Sequence, residues 1–305
     1  MFQIFHGLNV DWMGRRRIAY VFSGLLLVAS LVSLIVHGGP RYGVDFTGGT
    51  VIEASLKPTP GTDEVRTAIE VAGFQGAEIQ ARLDQPDQFL IRIGAVKAGT
   101  DPAPAVEAAL RTLRPGGAVE LLRVETVGPR VGSELRSNAV KAVFFALGLI
   151  LVYVAVRYDW HYAVGAVVAL FHDVFITLGA LSIMNKEITL TVVAALLTLA
   201  GFSINDKVVV FDRIRERKQS LRREPPDRVM NIGINETLSR TVITNGTVAV
   251  STLALYLFGG DVIHDFAFAM LVGAVVGTYS SLYVASALAL ELQLGIERSK
   301  RARKK

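Results

Sequence analysis

The chain of 305 residues contains no cysteine. That excludes a disulfide framework, a thiolate metal site and a cysteine nucleophile. Charge is scarce as well: Asp, Glu, Lys and Arg together make 19% of the residues, against about 25% in ordinary soluble domains. The five histidines, His6, His37, His161, His172 and His264, are scattered without an H-E-x-x-H or comparable ligand spacing. No metal and no other cofactor is expected. The net charge of +5 raises the question of nucleic acid, but the surplus cations sit beside apolar runs, so no nucleic-acid partner is expected either. In place of charge there is an apolar fraction of 51% and a mean hydropathy of +0.42, arranged in long uninterrupted runs that a soluble core does not need. The chain reads as a membrane protein whose surroundings are the lipid bilayer.

A helix needs about 20 apolar residues to cross about 30 Å of hydrocarbon. Runs of that kind begin at about Ile18–Val36, Ala139–Val156, Tyr162–Ile183, Ile188–Phe211, Thr241–Phe258 and Phe266–Leu290, which predicts six transmembrane helices. The first follows Arg15-Arg16-Arg17 like a signal peptide, yet it is too long for an h-region and no A-x-A site follows, so it reads as an uncleaved helix. Lys and Arg gather in alternate loops: Arg15 to Arg17, Arg157, the segment from Asp212 to Arg240, and the tail from Arg298 to Lys305. The positive-inside rule then puts both termini in the cytoplasm. The expected organisation is a cytoplasmic N-terminus and first helix over 1–36, a periplasmic domain over 37–138, helices two to six over 139–290 and a basic tail over 291–305. The basic loop from Arg213 to Asn235 reads either as a solvated positive-inside loop or as a segment lying on anionic lipid or a cytoplasmic partner.

The long stretch after the first helix alternates between strand and helix patterns. Val51–Leu56 reads as a strand and Thr62–Ala72 as a helix with Thr62 at its N-cap and Gly73 as its stop. Ala77–Leu83 and Phe89–Val96 read as strands, Pro102–Leu113 as a helix, and Val119–Val127 as the last strand. The order β-α-β-β-α-β is that of a split βαβ, ferredoxin-like α+β domain. It carries no catalytic constellation, so it serves either to contact something outside the membrane or as a cap over the membrane part.

Gly43-Val44-Asp45-Phe46-Thr47-Gly48-Gly49-Thr50 follows the first span. On local grounds it is a turn: Gly48-Gly49 permits positive φ, and Asp45 and Thr47 can bind nearby backbone. As an identifier, it resembles the signature of the SecD/SecF family. The segment Ser203-Ile204-Asn205-Asp206-Lys207-Val208-Val209-Val210-Phe211-Asp212-Arg213-Ile214-Arg215-Glu216 resembles that family's fourth-helix motif, departing from it at Lys207, where Thr is usual. Val127 to Leu135 resembles the start of the second helix, and Glu236 to Thr244 the start of the fifth. The resemblance covers nearly the whole chain, and its length favours the SecF branch over a SecD-like chain with a larger exported region. It implies a half of an RND-superfamily fold, in a bacterial inner membrane. It also implies a SecD-like membrane partner, association with the SecYEG channel, and use of the proton-motive force to draw preprotein through, without covalent catalysis.

Ionisable residues inside spans are costly and mark function by default. Asp206 lies about 18 residues past the start of the fourth span and Arg240 about 18 before the end of the fifth, so each is ~27 Å from the same face. A carboxylate and a guanidinium at one depth can pair between helices. Either Asp206 takes up a proton when Arg240 withdraws and releases it on return, or the two form a permanent ion pair, with Lys207 or Arg240 snorkelling to the interface. The family resemblance, in which this Asp and this Arg serve proton transport, favours the first. His172 and Asp173, mid-way along the third span, read as an extension of a proton relay or as a buried hydrogen-bonded anchor. As neighbours they point about 100° apart, which predicts separate targets, and Lys207 is expected to face away from Asp206 toward the interface. Gly273 and Gly277 form a G-x-x-x-G suited to close helix packing. Two rivals to the export reading are a half-size exporter of small molecules or lipids and a scaffold that only stabilises a membrane partner.

Overall fold

The computed structural model describes residues 9–82, 85–94 and 101–302. His6, Leu83, Asp84, Ala95, Val96 and the tail cations Arg303, Lys304 and Lys305 lie outside the described residues. The chain divides into two compact units, Tyr42–Lys141 and Met1–Arg41 with Ala142–Lys305.

The first unit opens with a single helical turn, α2 (Val44–Thr47), preceded in the chain by α1 (Arg16–Val36). It continues β1 (Gly49–Lys57), α3 (Thr62–Val71), β2 (Glu78–Ala81), β3 (Gln88–Ile93), α4 (Ala103–Leu113) and β4 (Ala118–Val127). The sheet order is β2-β3-β1-β4 and every neighbouring pair is antiparallel. This is the split βαβ expected from the pattern: β3 lies between β1 and β2, and β1 lies between β3 and β4. Alternation along the strands makes one buried face. Ile52, Ala54 and Leu56 of β1 and Phe89, Ile91 and Ile93 of β3 pack against Val65 and Ile69 of α3 and Val106 and Leu110 of α4. One cap differs from expectation. Gly61, in extended conformation, is the N-cap of α3, and Thr62 is its first helical residue, because the chain needs an extended residue after Pro60, and Thr62 is already turning. Gly73 stops the helix at φ +96° as expected.

The second unit carries long helices. α5 (Pro129–Arg157) leads into it, followed by α6 (Trp160–Ile183), α7 (Leu190–Ser220), α8 (Pro226–Phe258) and α9 (Asp261–Tyr279). A π-helical turn over Ser280–Ala285 joins α9 to α10 (Ser286–Ala302). Counting α9 to α10 as one span, six helical segments among the described residues are long and apolar enough to cross a membrane. With no water in hydrocarbon to bond the backbone, helices are the form such runs can take. Several helices overrun their apolar runs. α7 continues to Ser220 and α8 begins at Pro226, so the expected loop from Asp212 to Arg240 is mostly a helical hairpin with only residues 221–225 between its arms. The reason is electrostatic and local. Glu236 of α8 accepts from both Arg213 and Arg217 of α7 at 2.7 Å, and Pro226 is placed at the first helical position, where its missing N–H costs nothing.

Burial is uneven. Within their most apolar stretches, 56% of α6, 50% of α7 and 56% of the α9–α10 span is buried, against 17% of α8 and 6% of α5, so α6, α7 and α9–α10 form the centre of the unit. Residues before α1 are tied to α8: Asn235 Oδ1 accepts from Val10 N and Trp12 Nε1 (3.1 Å each), and Asn231 Oδ1 from Met13 N (2.9 Å). Glycines set the closest approaches. A Cβ on Gly165 of α6 would lie 2.7 Å from the Ala285 carbonyl oxygen of the π turn, and one on Gly273 of α9 would meet Leu199 of α7 at 2.4 Å. Gly165→Val is therefore expected to cost about 1–3 kcal/mol as the helices are forced apart, read as a lowered melting temperature of the purified chain in detergent. Gly148→Ala, with nothing within 4 Å of the new methyl, is expected to be neutral or stabilising in the same assay.

Candidate functional site

The site is built at the middle of the second unit, where α6, α7 and the π turn meet. Lys207 of α7 is completely buried, and so is Asp173 of α6. An ammonium has three protons to place, and all three are placed: on Asp173 Oδ2 (2.8 Å), Ser203 Oγ (2.5 Å) and Ser280 Oγ (3.1 Å). Asp173 Oδ2 in turn accepts from the hydroxyls of Ser203 (2.6 Å) and Ser280 (2.7 Å). Ser203 is one turn before Lys207 on the same face, and Ser280 is the first residue of the π turn. A π turn widens the helix by a residue, a device frequent at functional sites; here the widened backbone carries Ser280 into the network.

The network continues toward α1. Asp173 Oδ1 faces His172 Nδ1 at 3.0 Å, His172 Nε2 faces Ser23 Oγ at 3.1 Å, and Ser23 Oγ faces Tyr279 Oη at 2.9 Å. The Tyr279 hydroxyl donates to the Ala19 carbonyl at 2.7 Å. The carboxylate requires the proton of a neutral His172 to sit on Nδ1. Nε2 and Tyr279 Oη then compete for the one Ser23 hydroxyl proton.

Asp206, next to Lys207, points to the other side of α7. Its Oδ1 accepts from Thr241 Oγ1 of α8 at 2.9 Å. Ser281 and Asn245 face the same carboxyl group at longer range. Asp206 Oδ2 and Asn245 Oδ1 are both buried without a hydrogen-bond partner.

Several sequence expectations are corrected here. Asp206 and Arg240 are not paired. The residue of α8 that meets Asp206 is Thr241; Arg240, about 100° round the helix from it, is exposed. Lys207 does not reach an interface: turned away from Asp206, it meets α6. His172 and Asp173 reach separate partners as expected, Ser23 of α1 and Lys207 of α7, but the imidazole also bonds the neighbouring carboxylate, which links the two. Asn205 is exposed and takes no part in either cluster. Ser203, Ser280, Thr241 and Asn245 went unnoticed in the sequence. Their signal was spacing: Ser203 with Lys207, and Thr241 with Asn245, are i,i+4 pairs on one helical face.

The glycine motif stands apart, in the first unit. Phe46 is buried, and Thr47 Oγ1 donates within the turn to Gly43 O (3.1 Å) or Gly48 O (3.2 Å). Gly48 has φ +73° and Gly49 φ +131°. A Cβ on Gly48 would stand 2.8 Å from Pro129 Cα, and one on Gly132 would stand 3.0 Å from Gly48 N. The motif is a turn that lets β1 begin directly against the foot of α5. Asp45 is the first-turn acid of the single-turn helix α2.

Comparison with known proteins agrees with this architecture. A family model described as "Protein export membrane protein SecD/SecF, C-terminal" matches residues 105–295, and one described as "SecD/SecF GG Motif" matches residues 33–60. The chain is 41% identical to protein translocase subunit SecF of Vibrio alginolyticus, over 96% of this chain and 93% of that protein. It is 43% identical to the protein of the same name from Escherichia coli O157:H7, over 95% and 90%. Among solved structures it is similar to SecDF of Thermus thermophilus, described as a translocon-associated membrane protein, with a TM-score of 0.85 and 39% identity. That match covers 96% of this chain and 40% of the other. SecDF in a super-membrane-facing form matches with a TM-score of 0.72 and 38% identity.

The buried pair makes a clear expectation. Lys207→Met leaves the Asp173 carboxylate in the interior with no counter-charge, a change that typically costs about 3–5 kcal/mol. Adding Asp173→Asn removes the second charge, and most of that loss is expected to return. Thermal unfolding of the two variants in detergent checks it; a double variant as unstable as Lys207→Met would show that the loss comes from packing instead.

Proposed function

The chain belongs to the SecD/SecF family of protein-export membrane proteins, and on that premise we propose that it couples proton movement to preprotein translocation as the SecF-type member of a Sec translocase. The reading places it in the bacterial inner membrane with both termini cytoplasmic. The clustering of Lys and Arg on one set of loops supports that orientation. It places the α+β domain over residues 37–138 in the periplasm, where preprotein emerges.

The observation that carries the proton coupling is the Asp206 carboxyl. It is buried, one of its oxygens accepts from Thr241, and the other has no hydrogen-bond partner. A buried carboxyl in that position is best satisfied when protonated. Arg240 is one residue away from Thr241, so a turn of α8 by about 100° exchanges the hydroxyl for the guanidinium at Asp206. With Thr241 presented, Asp206 holds a proton; with Arg240 presented, the proton leaves. The row from Asp173 through His172 to Ser23 and Tyr279 is a second proton-handling element of the same cycle, with Lys207 as its fixed counter-charge. A change of conformation is supported by the solved relatives, which differ in likeness to this chain (TM-scores 0.85 and 0.72) at almost the same identity, 39% and 38%.

The partner in this reading is a SecD-like protein, and together they act on the SecYEG channel and its preprotein. The sparing burial of α5 and α8 supports a membrane partner, as does the SecDF chain, of which this one spans 40%. The work done is transport, not covalent chemistry. A scaffold role without proton coupling is the reading to exclude. Asp206→Asn is expected to assemble normally with the SecD-like partner in a pull-down, and to lose the part of preprotein release from membrane vesicles that depends on the proton gradient. Gradient-dependent release at the wild-type level would sink the coupling.

A further inference from the structure

The second unit holds a cavity that none of this uses. It has a volume of about 750 Å³ and lies between the end of α7, the start of α8 and α10. Lys218, Arg222 and Arg223 line it, and none of the three has a carboxylate partner among the described residues. This distinguishes them from Arg213 and Arg217 on the same hairpin, which share Glu236. Two carboxylates also line the cavity. Glu224 is bound by Arg228 at 3.0 Å, and Asp227 lies in the first turn of α8, where the helix dipole favours it. The cavity is therefore left with unneutralised positive charge.

A second observation points to a ligand. Tyr162 of α6 lines the cavity and is 2% exposed. Its ring packs on Phe211 in the core (centroids 5.0 Å apart), yet its hydroxyl has no hydrogen-bond partner. A buried phenol without a partner is costly, and its residue lines a cavity that carries cations. Apart from Gln293, the remaining lining is apolar, with Met230 and Leu294 among it. The cavity also lies at the level where the apolar runs end. Trp160, two residues before Tyr162, is 56% exposed, the placing of an aromatic anchor at a membrane surface. A groove that is cationic at its mouth, apolar in its wall and set at headgroup depth has the chemistry of an anionic amphiphile.

We propose that this cavity binds the phosphate of an anionic phospholipid headgroup, with Lys218, Arg222 and Arg223 as the cationic contacts and the Tyr162 hydroxyl as an internal donor. The site is independent of proton coupling and stands or falls without it. The test uses the full-length chain in detergent, exposed to phosphatidylglycerol or phosphatidylcholine and examined by native mass spectrometry, with inorganic phosphate as a separate titrant. Wild type is expected to retain phosphatidylglycerol over phosphatidylcholine. A surface cation is worth about fivefold in binding to an anionic lipid, so Arg222→Gln with Arg223→Gln is expected to lower retention roughly thirtyfold. Tyr162→Phe, which keeps the ring, is expected to lower it about fivefold. Arg215→Gln, removing an exposed cation of α7 that does not line the cavity, is expected to change it less than twofold. Equal losses in the Arg215 variant and the double variant would overturn the site in favour of diffuse attraction. Unchanged retention in the double variant would overturn it outright. Binding of inorganic phosphate without preference for phosphatidylglycerol would assign the cavity to a free phosphate and overturn the lipid reading.

Discussion

Lys207 and Asp173 hold two full charges out of water, and the centre of the membrane unit is arranged around making that tolerable. Removing an ion from water costs several kcal/mol even after relaxation, and the attraction between partners offsets this only when every remaining proton and lone pair is also bonded. Here the ammonium has three acceptors, and the carboxylate oxygen opposite has three donors. That requirement fixes α6, α7 and the π turn relative to one another. Ser280 reaches the pair through the π turn, and the same turn brings Ala285 against Gly165, where no side chain fits. A serine or a glycine at these positions is thus a consequence of the charge pair as much as a packing choice.

The neighbouring Asp206 is held in the opposite way. Thr241 bonds one of its oxygens, and the other is buried without a hydrogen-bond partner. Two adjacent residues on α7 therefore carry contrasting instructions. Lys207, facing α6, belongs to a network with nothing left to gain. Asp206, facing α8, belongs to one that leaves a buried oxygen unpaired. Since successive residues diverge by about 100°, one helix can present a fixed charge to one neighbour and a titratable group to another. A proton-coupled device needs both, because a group that changes its charge can do work only against surroundings that do not change with it.

Much of the architecture was legible because it rests on periodicity and length. Six apolar runs gave six helices, and the alternation in Val51–Leu56 and Phe89–Val96 gave the buried face of the sheet. Helix ends were less legible. A charged stretch such as Asp212 to Arg240 ends an apolar run without ending a helix, and its pairing of Glu236 with Arg213 and Arg217 joins two arms of a hairpin, which a one-dimensional pattern does not display. The site was half legible. Depth along each span singled out the charged residues themselves, Asp206, Asp173, His172 and Lys207. Azimuth was not available from depth, and azimuth decides partners: Arg240 shares a depth with Asp206 but faces elsewhere, while Thr241 faces it. The departure at Lys207 from the family pattern was the clearest flag, since a cation in a span must find an acceptor, and the nearest deep carboxylate on another helix was Asp173.

The uneven hold on α8 bears on how a proton at Asp206 could become motion. Its first half is fixed closely. Gly233 lies so near Ile214 that a Cβ there would be 3.0 Å from the Ile214 Cα, and Asn231 and Asn235 tie in the segment before α1. Beyond Thr241 the helix is sparsely buried, with Val250, Leu257 and Phe258 exposed. A helix clamped at one end and lightly held at the other yields by pivoting near the clamp, and Thr241 lies about two turns beyond Gly233. A rotation of about 100° there changes which residue meets Asp206 while leaving the Lys207–Asp173 network on the far side of α7 untouched. In the proposed cycle the fixed pair is thus the frame and α8 the moving part, and the cost of the motion falls on helix surface that is already exposed instead of on the packed centre.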